Sequence, residues 1–133
     1  MCSRSIAAMN ADFELPHVLV VDDNLDATEV LALLIEVENF TAATARTLAL
    51  AREEIARRPP RLIFLDLNLP DGSGMNLLAD VKADQHTAGI QVVMLSGMLD
   101  PRLKEQAHLL GASAFFTKPL AHEQLTAVLD TVR

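Results

Sequence analysis

The sequence predicts an α/β fold: a doubly wound, five-stranded parallel sheet with helices on both faces, built as (βα) repeated five times. Two observations lead there. Short β-branched apolar runs alternate with segments whose apolar residues recur at helical spacing, the pattern of consecutive βα units. The runs are also continuous, as in Leu62-Ile63-Phe64-Leu65, and parallel strands covered on both sides read that way. The length of 133 residues suits one domain. At that size roughly 68% of the unfolded surface is buried on folding, so the core needs no staple. The expected organisation is a weakly ordered lead-in over residues 1–15 and a single domain over 16–133.

Each element carries its own signal. Val18-Leu19-Val20-Val21 is the first strand, closed by Asp22-Asp23-Asn24. Asp26 with Glu29 three residues on resembles a capping box. Ala27, Val30, Leu31 and Leu34 follow at helical spacing, which predicts a helix to about residue 38. Residues 40–44 form a weak second strand, and 48–58 a second helix stopped by Pro59-Pro60. Residues 62–65 are the third strand. Pro70-Asp71-Gly72 is a turn signal, and 75–82 is a helix with Leu77, Leu78 and Val81 on one face. Residues 90–95 are the fourth strand. Asp100-Pro101 reads as an N-cap and a first-turn proline opening a helix that ends at Gly111. Residues 114–116 are a short fifth strand and 120–132 the last helix.

Composition narrows the function. The formal net charge is −7, which disfavours direct contact with a phosphate backbone. The main basic cluster, Arg57-Arg58 with Arg61, is interrupted by Pro59-Pro60, and there is no Trp or Tyr to stack on bases. No direct nucleic-acid partner is therefore expected. The single cysteine, Cys2, permits no internal disulfide. No apolar run reaches the ~18 residues of a spanning helix, and the first fifteen residues hold no continuous signal-peptide core. These features lead to the expectation of a cytoplasmic protein with no membrane contact. The four histidines, His17, His86, His108 and His122, are scattered without ligand spacing and read as surface or edge residues.

The chemistry-bearing residues all follow strands. Asp22 and Asp23 follow the first, Asp66 the third, Ser96 the fourth and Lys118 the fifth. In open α/β sheets ligands bind beyond the carboxyl ends of the strands, where strand order reverses. With the flavodoxin-like order 2-1-3-4-5 that point lies between strands one and three, so these groups converge on one crevice. Crowded carboxylates raise each other's pKa unless a positive charge intervenes. Lys118 supplies one charge, and oxygen-only ligands suit Mg²⁺ for the rest. An aspartate beside Mg²⁺, a hydroxyl and a lysine is equipped to accept a phosphoryl group. Taken singly, the acids read as caps or turn formers and Lys118 as a solvated side chain; their common placement is what carries the functional reading.

Four fragments, VLVVDDN, LIFLDLNLPDGSG, VVMLSG and GASAFFTKPL, resemble the receiver domain of two-component response regulators, in order and at its spacings. The resemblance covers residues 17–132. It implies that Asp66 is the phosphoacceptor. It implies that Asp22, Asp23, Asp66 and the backbone carbonyl of Asn68 hold Mg²⁺. Ser96 and Lys118 match the groups that contact the phosphoryl oxygens, and Ser96 with Phe115 match the switch pair. In the family the bond equivalent to Lys118-Pro119 is often cis, whereas X-Pro bonds at large are cis in about 5–6% of cases. The implied donor is a histidine kinase or a phosphotransfer protein. The implied output is a partner protein or a homodimer docked on the fourth helix, fifth strand and fifth helix, with Phe115 swinging inward on phosphorylation. Such a domain is not an enzyme for an outside substrate; it catalyses only its own phosphorylation and dephosphorylation. Two departures stand out: Gly97 where Ala is commoner, and Phe115 where Tyr is commoner. Dehalogenase-type phosphatases use similar groups, but with the nucleophile on the first strand and a second Asp two residues on; here that position is Asn68.

Overall fold

The computed structural model describes residues 15–133, so the expectation of a weakly ordered lead-in and any role for Cys2 concern residues outside the described part. Five strands form one parallel sheet: β1 (His17–Val21), β2 (Thr41–Ala45), β3 (Leu62–Asp66), β4 (Gln91–Ser96) and β5 (Ala114–Thr117). Their order is β2-β1-β3-β4-β5, as expected. The register pairs Val21 with both Ala45 and Leu65, Asp66 with Leu95, and Ser96 with Thr117. The carboxyl ends therefore finish within two residues of one another, which is what brings the residues after each strand to one edge.

Residue parity sorts the core into two layers. Leu19, Val21, Ile63, Leu65, Val92 and Met94 face α2 (Leu48–Arg57), α3 (Gly74–Ala83) and α4 (Pro101–Leu109). Val18, Val20, Leu62, Phe64, Val93 and Leu95 face α1 (Leu25–Val37) and α5 (His122–Asp130). This is the side-chain period of two seen from both sides of a covered sheet. Phe64, fully buried at the centre, anchors the second layer; truncating such a side chain to Ala costs about 3–5 kcal/mol.

The differences from expectation lie at element ends. The N-cap of α1 is Asn24, whose Oδ1 accepts from the Ala27 N–H at 3.0 Å. Asp26 and Glu29 do not form the expected box, because Asn24, extended as the chain leaves β1, already caps the helix and Leu25 is its first residue. α4 opens as expected, with Asp100 accepting from the Arg102 N–H at 2.9 Å and Pro101 in the first turn, and Gly111 takes a φ of +109° just beyond it. The last helix begins at His122 rather than residue 120, because the chain is still extended at Ala121, whose N–H donates to Gln124 Oε1 at 2.9 Å; Lys118-Pro119 is cis. A two-residue antiparallel ribbon, Asn68–Leu69 with Gly72–Ser73, closes the turn after β3. His17 is buried rather than superficial, its Nδ1 2.8 Å from Thr41 Oγ1. Among the described residues no helix is long and apolar enough to cross a membrane.

Candidate functional site

β1 delivers Asp22 to the carboxyl edge in extended form, its N–H donating to the Ala45 carbonyl at 3.0 Å. Its carboxylate is folded back by the chain: Oδ1 accepts from the Asn24 N–H at 3.0 Å. β3 delivers Asp66 as its last residue, and Oδ1 accepts from the Asn68 N–H at 3.3 Å. Both aspartates are only 5% exposed. Lys118 reaches between them from the end of β5, with Nζ 2.9 Å from Asp66 Oδ2 and 3.0 Å from Asp22 Oδ2. Its own N–H donates to the Ser96 carbonyl at 2.8 Å, tying the ends of β4 and β5 together. Asp23 stands exposed at the rim, without a hydrogen-bond partner among the described residues. Carboxylate oxygens of Asp22, Asp23 and Asp66 lie within 4.8 Å of one another.

The electrostatics are unbalanced. Three carboxylates face one ammonium, so the crevice carries excess negative charge. Burial, followed by the neighbouring Asp22 charge, pushes the Asp66 carboxyl above its ordinary value and prevails over the opposing hydrogen bond from Lys118. Burial acts on Lys118 in the opposite sense, but its bonds to Asp66 and Asp22 prevail and raise it. A simple ion pair would lower the acid; here the nearly complete removal of Asp66 from water decides. Such an all-oxygen set with surplus negative charge fits a hard divalent cation, and Mg²⁺ needs few protein ligands. Asn68 sits on the ribbon beside this cluster, exposed to solvent.

Ser96 and Phe115, the expected switch pair, are placed differently from the acids. Asp66 shares the parity of Leu62 and Phe64, the layer of α1 and α5, whereas Ser96 shares that of Val92 and Met94. Ser96 is buried, and its hydroxyl donates to the Met98 carbonyl at 2.9 Å rather than to the acidic cluster. Phe115 already lies inside the α2–α3–α4 layer, 7% exposed. The ring occupies the inward position here, where a side chain without a hydroxyl has no group to keep in water.

Two contributors were not read from the sequence. Gly74 opens α3 so close to β3 that an added Cβ would stand 2.3 Å from the Asp66 carbonyl oxygen. The Gly-Ser-Gly run hinted at it, but only the packing shows the need. Asp71, read as a turn former, accepts two N–H groups of α2. A groove of 620 Å³ runs from Asp22 and Lys118 between α1 and the β5–α5 connection, lined by Ala27, Val30, Leu31, Leu34, Pro119 and Leu120.

Comparison with known proteins gives a consistent picture. The sequence model described as the response regulator receiver domain matches residues 18–130. The phosphate regulon transcriptional regulatory protein PhoB of Pseudomonas aeruginosa is 33% identical over 115 residues, covering 86% of this chain and 50% of PhoB. The chain thus spans about half the length of that curated relative, and a quarter of the response regulator protein PilR from the same species. A response regulator receiver domain protein (CheY-like) from Methanospirillum hungatei superposes with TM-score 0.82 at 23% identity, covering 89% of this chain and 93% of the other. A response regulator protein from Burkholderia pseudomallei, solved with a phosphorylated aspartic acid and a calcium ion, superposes with TM-score 0.77 at 23% identity, covering 89% and 66%.

Proposed function

The chain belongs to the response regulator receiver domain family, and from that premise we propose that it accepts a phosphoryl group on Asp66 in a Mg²⁺-dependent reaction and signals through its α4–β5–α5 face. The observation that carries the reading is the convergence of Asp22, Asp23 and Asp66 with Lys118 bridging two of them at 2.9 and 3.0 Å. A Asp66 carboxylate oxygen attacks phosphorus. The O–P bond forms as the P–N bond to a donor imidazole breaks, and the imidazole leaves with the electron pair and takes up a proton. Lys118 is positioned to exchange one carboxylate contact for a phosphoryl oxygen. Asp22, Asp23, Asp66 and the Asn68 carbonyl would hold Mg²⁺, which would supply charge neutralisation for the phosphoryl oxygens. The domain turns over only its own phosphoryl group, and water later hydrolyses the aspartyl phosphate.

The donor is a histidine kinase or phosphotransfer protein, approaching over α1. Support comes from the apolar groove that opens on Asp22 and Lys118, and from Val30, Leu33, Leu34 and Val37, exposed at i, i+3, i+4 and i+7 along α1. On the output side, phosphorylation adds about −1.5 to −2 charges. To meet them, the Ser96 hydroxyl leaves the Met98 carbonyl, and the loop carrying exposed Met98 and Leu99 moves. With Phe115 already inside, that loop and not the ring carries the change, to a partner protein or a second copy.

The test is incubation with acetyl phosphate and Mg²⁺ followed by intact mass. One acid-labile phosphoryl group, absent in Asp66→Asn, supports the reading. Labelling that survives in Asp66→Asn, or continuous phosphate release without a labelled intermediate, overturns it.

A further inference from the structure

We infer that Asp71 is a positioning residue for the cation: it fastens the ribbon that carries the Asn68 carbonyl to the N-terminus of α2. The inference rests on the proposed Mg²⁺ site, and it assigns a role to a residue outside the ligand set.

α2 already has a cap of its own. Thr47 Oγ1 accepts from the Leu50 N–H at 3.0 Å. Asp71, 23 residues beyond Leu48, takes the two remaining first-turn donors: Oδ1 from Leu48 N–H at 2.8 Å and Oδ2 from Ala49 N–H at 3.0 Å. Both oxygens are used, so the turn is held in position and in rotation. The contact is reinforced by packing. Gly72 has φ +145°, and a Cβ there would stand 3.0 Å from Leu48 Cδ1, so the first residue of α2 lies against the turn.

The other end of the ribbon is anchored to the sheet. The Leu67 N–H donates to the Leu95 carbonyl at 2.9 Å, and the Gly74 N–H to the Leu67 carbonyl at 2.8 Å. Asn68 pairs with Ser73 and Leu69 with Gly72 between these anchors. The Asn68 peptide is thus one rung of a short ladder fixed at one end by β4 and at the other by Asp71. Releasing Asp71 frees the turn to pivot about Leu67 and Gly74, and the carbonyl pivots with it. Outer groups that hold a ligand commonly govern metal affinity about as strongly as 10–100-fold. A plain helix cap would alter stability alone.

Mg²⁺ titration of the unphosphorylated full chain, followed by amide chemical shifts, separates the two roles. Asp71→Ala should weaken Mg²⁺ binding about tenfold. Thr47→Ala, which removes a cap of the same helix without touching the ribbon, should lower the thermal midpoint yet leave Mg²⁺ affinity unchanged. Asp71→Asn, which keeps one acceptor, should fall between and serves if the alanine variant does not fold. Wild-type Mg²⁺ affinity in Asp71→Ala, or in Asp71→Asn where that variant must stand in, overturns the inference, as does equal weakening by Thr47→Ala. A wild-type chain that shows no Mg²⁺ response overturns instead the underlying assignment of the site.

Discussion

Replacing Gly74 by alanine sets a methyl group against the backbone of the proposed phosphoacceptor. The new Cβ would lie 2.3 Å from the Asp66 carbonyl oxygen, 3.2 Å from its carbonyl carbon and 3.2 Å from Leu65 Cγ. Side-chain carbons essentially never approach within 3.0 Å, so α3 and the end of β3 must part by about 0.7 Å at the least. Neither side is a pliable side chain: one is a strand end in the middle of the sheet, the other the first turn of a helix whose Met75, Leu77 and Leu78 are buried. Overpacking of this kind costs about 1–3 kcal/mol, which for a domain of this size lowers the midpoint by roughly 3–15 °C. The displacement falls on the reacting group, and a misplacement approaching ~1 Å slows chemistry by up to about 100-fold. Gly97→Ala is the control. No heavy atom lies within 4 Å of its would-be Cβ, so it should be neutral or gain about 0.4–1 kcal/mol from a stiffer unfolded chain. Urea unfolding and the rate of labelling by acetyl phosphate test both variants. A Gly74→Ala protein with wild-type stability and rate would refute the steric argument.

Three further outcomes are expected. In metal-free buffer, Asp66→Asn should gain on the wild type as pH rises. The Asp66 carboxyl is raised above 3.8, so its contribution is fully present below that value and is lost as pH climbs through the raised one; thermal midpoints of the two proteins that stay a fixed distance apart across acid to neutral pH would contradict this. Mg²⁺ at ten times its dissociation constant should stabilise the wild type by about 1.4 kcal/mol, and Asp23→Asn should lose most of that gain, as differential scanning calorimetry can establish. Joint Leu33→Asp and Val37→Asp changes, at positions 62% and 76% exposed, should leave stability within about 0.5 kcal/mol. They should slow transfer from a histidine phosphodonor protein that labels the wild type by at least about tenfold, with acetyl phosphate labelling intact; equal slowing with both donors would argue against donor docking on α1.

The parts of this fold legible in the sequence are those set by burial. The strands show as apolar runs because both sheet faces are covered, and the site follows because topology collects strand ends. What stayed hidden is decided between elements. Asn24 displaces Asp26 as the α1 cap only because β1 releases the chain there. The ribbon after β3 is two residues wide, too short to imprint a period. Asp71 looks like any turn aspartate, since its two acceptor bonds reach a helix 23 residues earlier.

The strict parity of β3 fixes how this chain can vary in length. Inserting or deleting one residue between Leu62 and Asp66 would exchange the two core layers along that strand, sending Phe64 toward α3 and turning the Asp66 carboxylate away from Asp22. The exposed turn over residues 84–89, at the opposite end of the sheet, carries no such count: a Cβ at Gly89 would meet nothing within 4 Å. Grafted tags, reporter loops and new chain termini therefore belong there, where added length leaves the arithmetic of the strands unchanged.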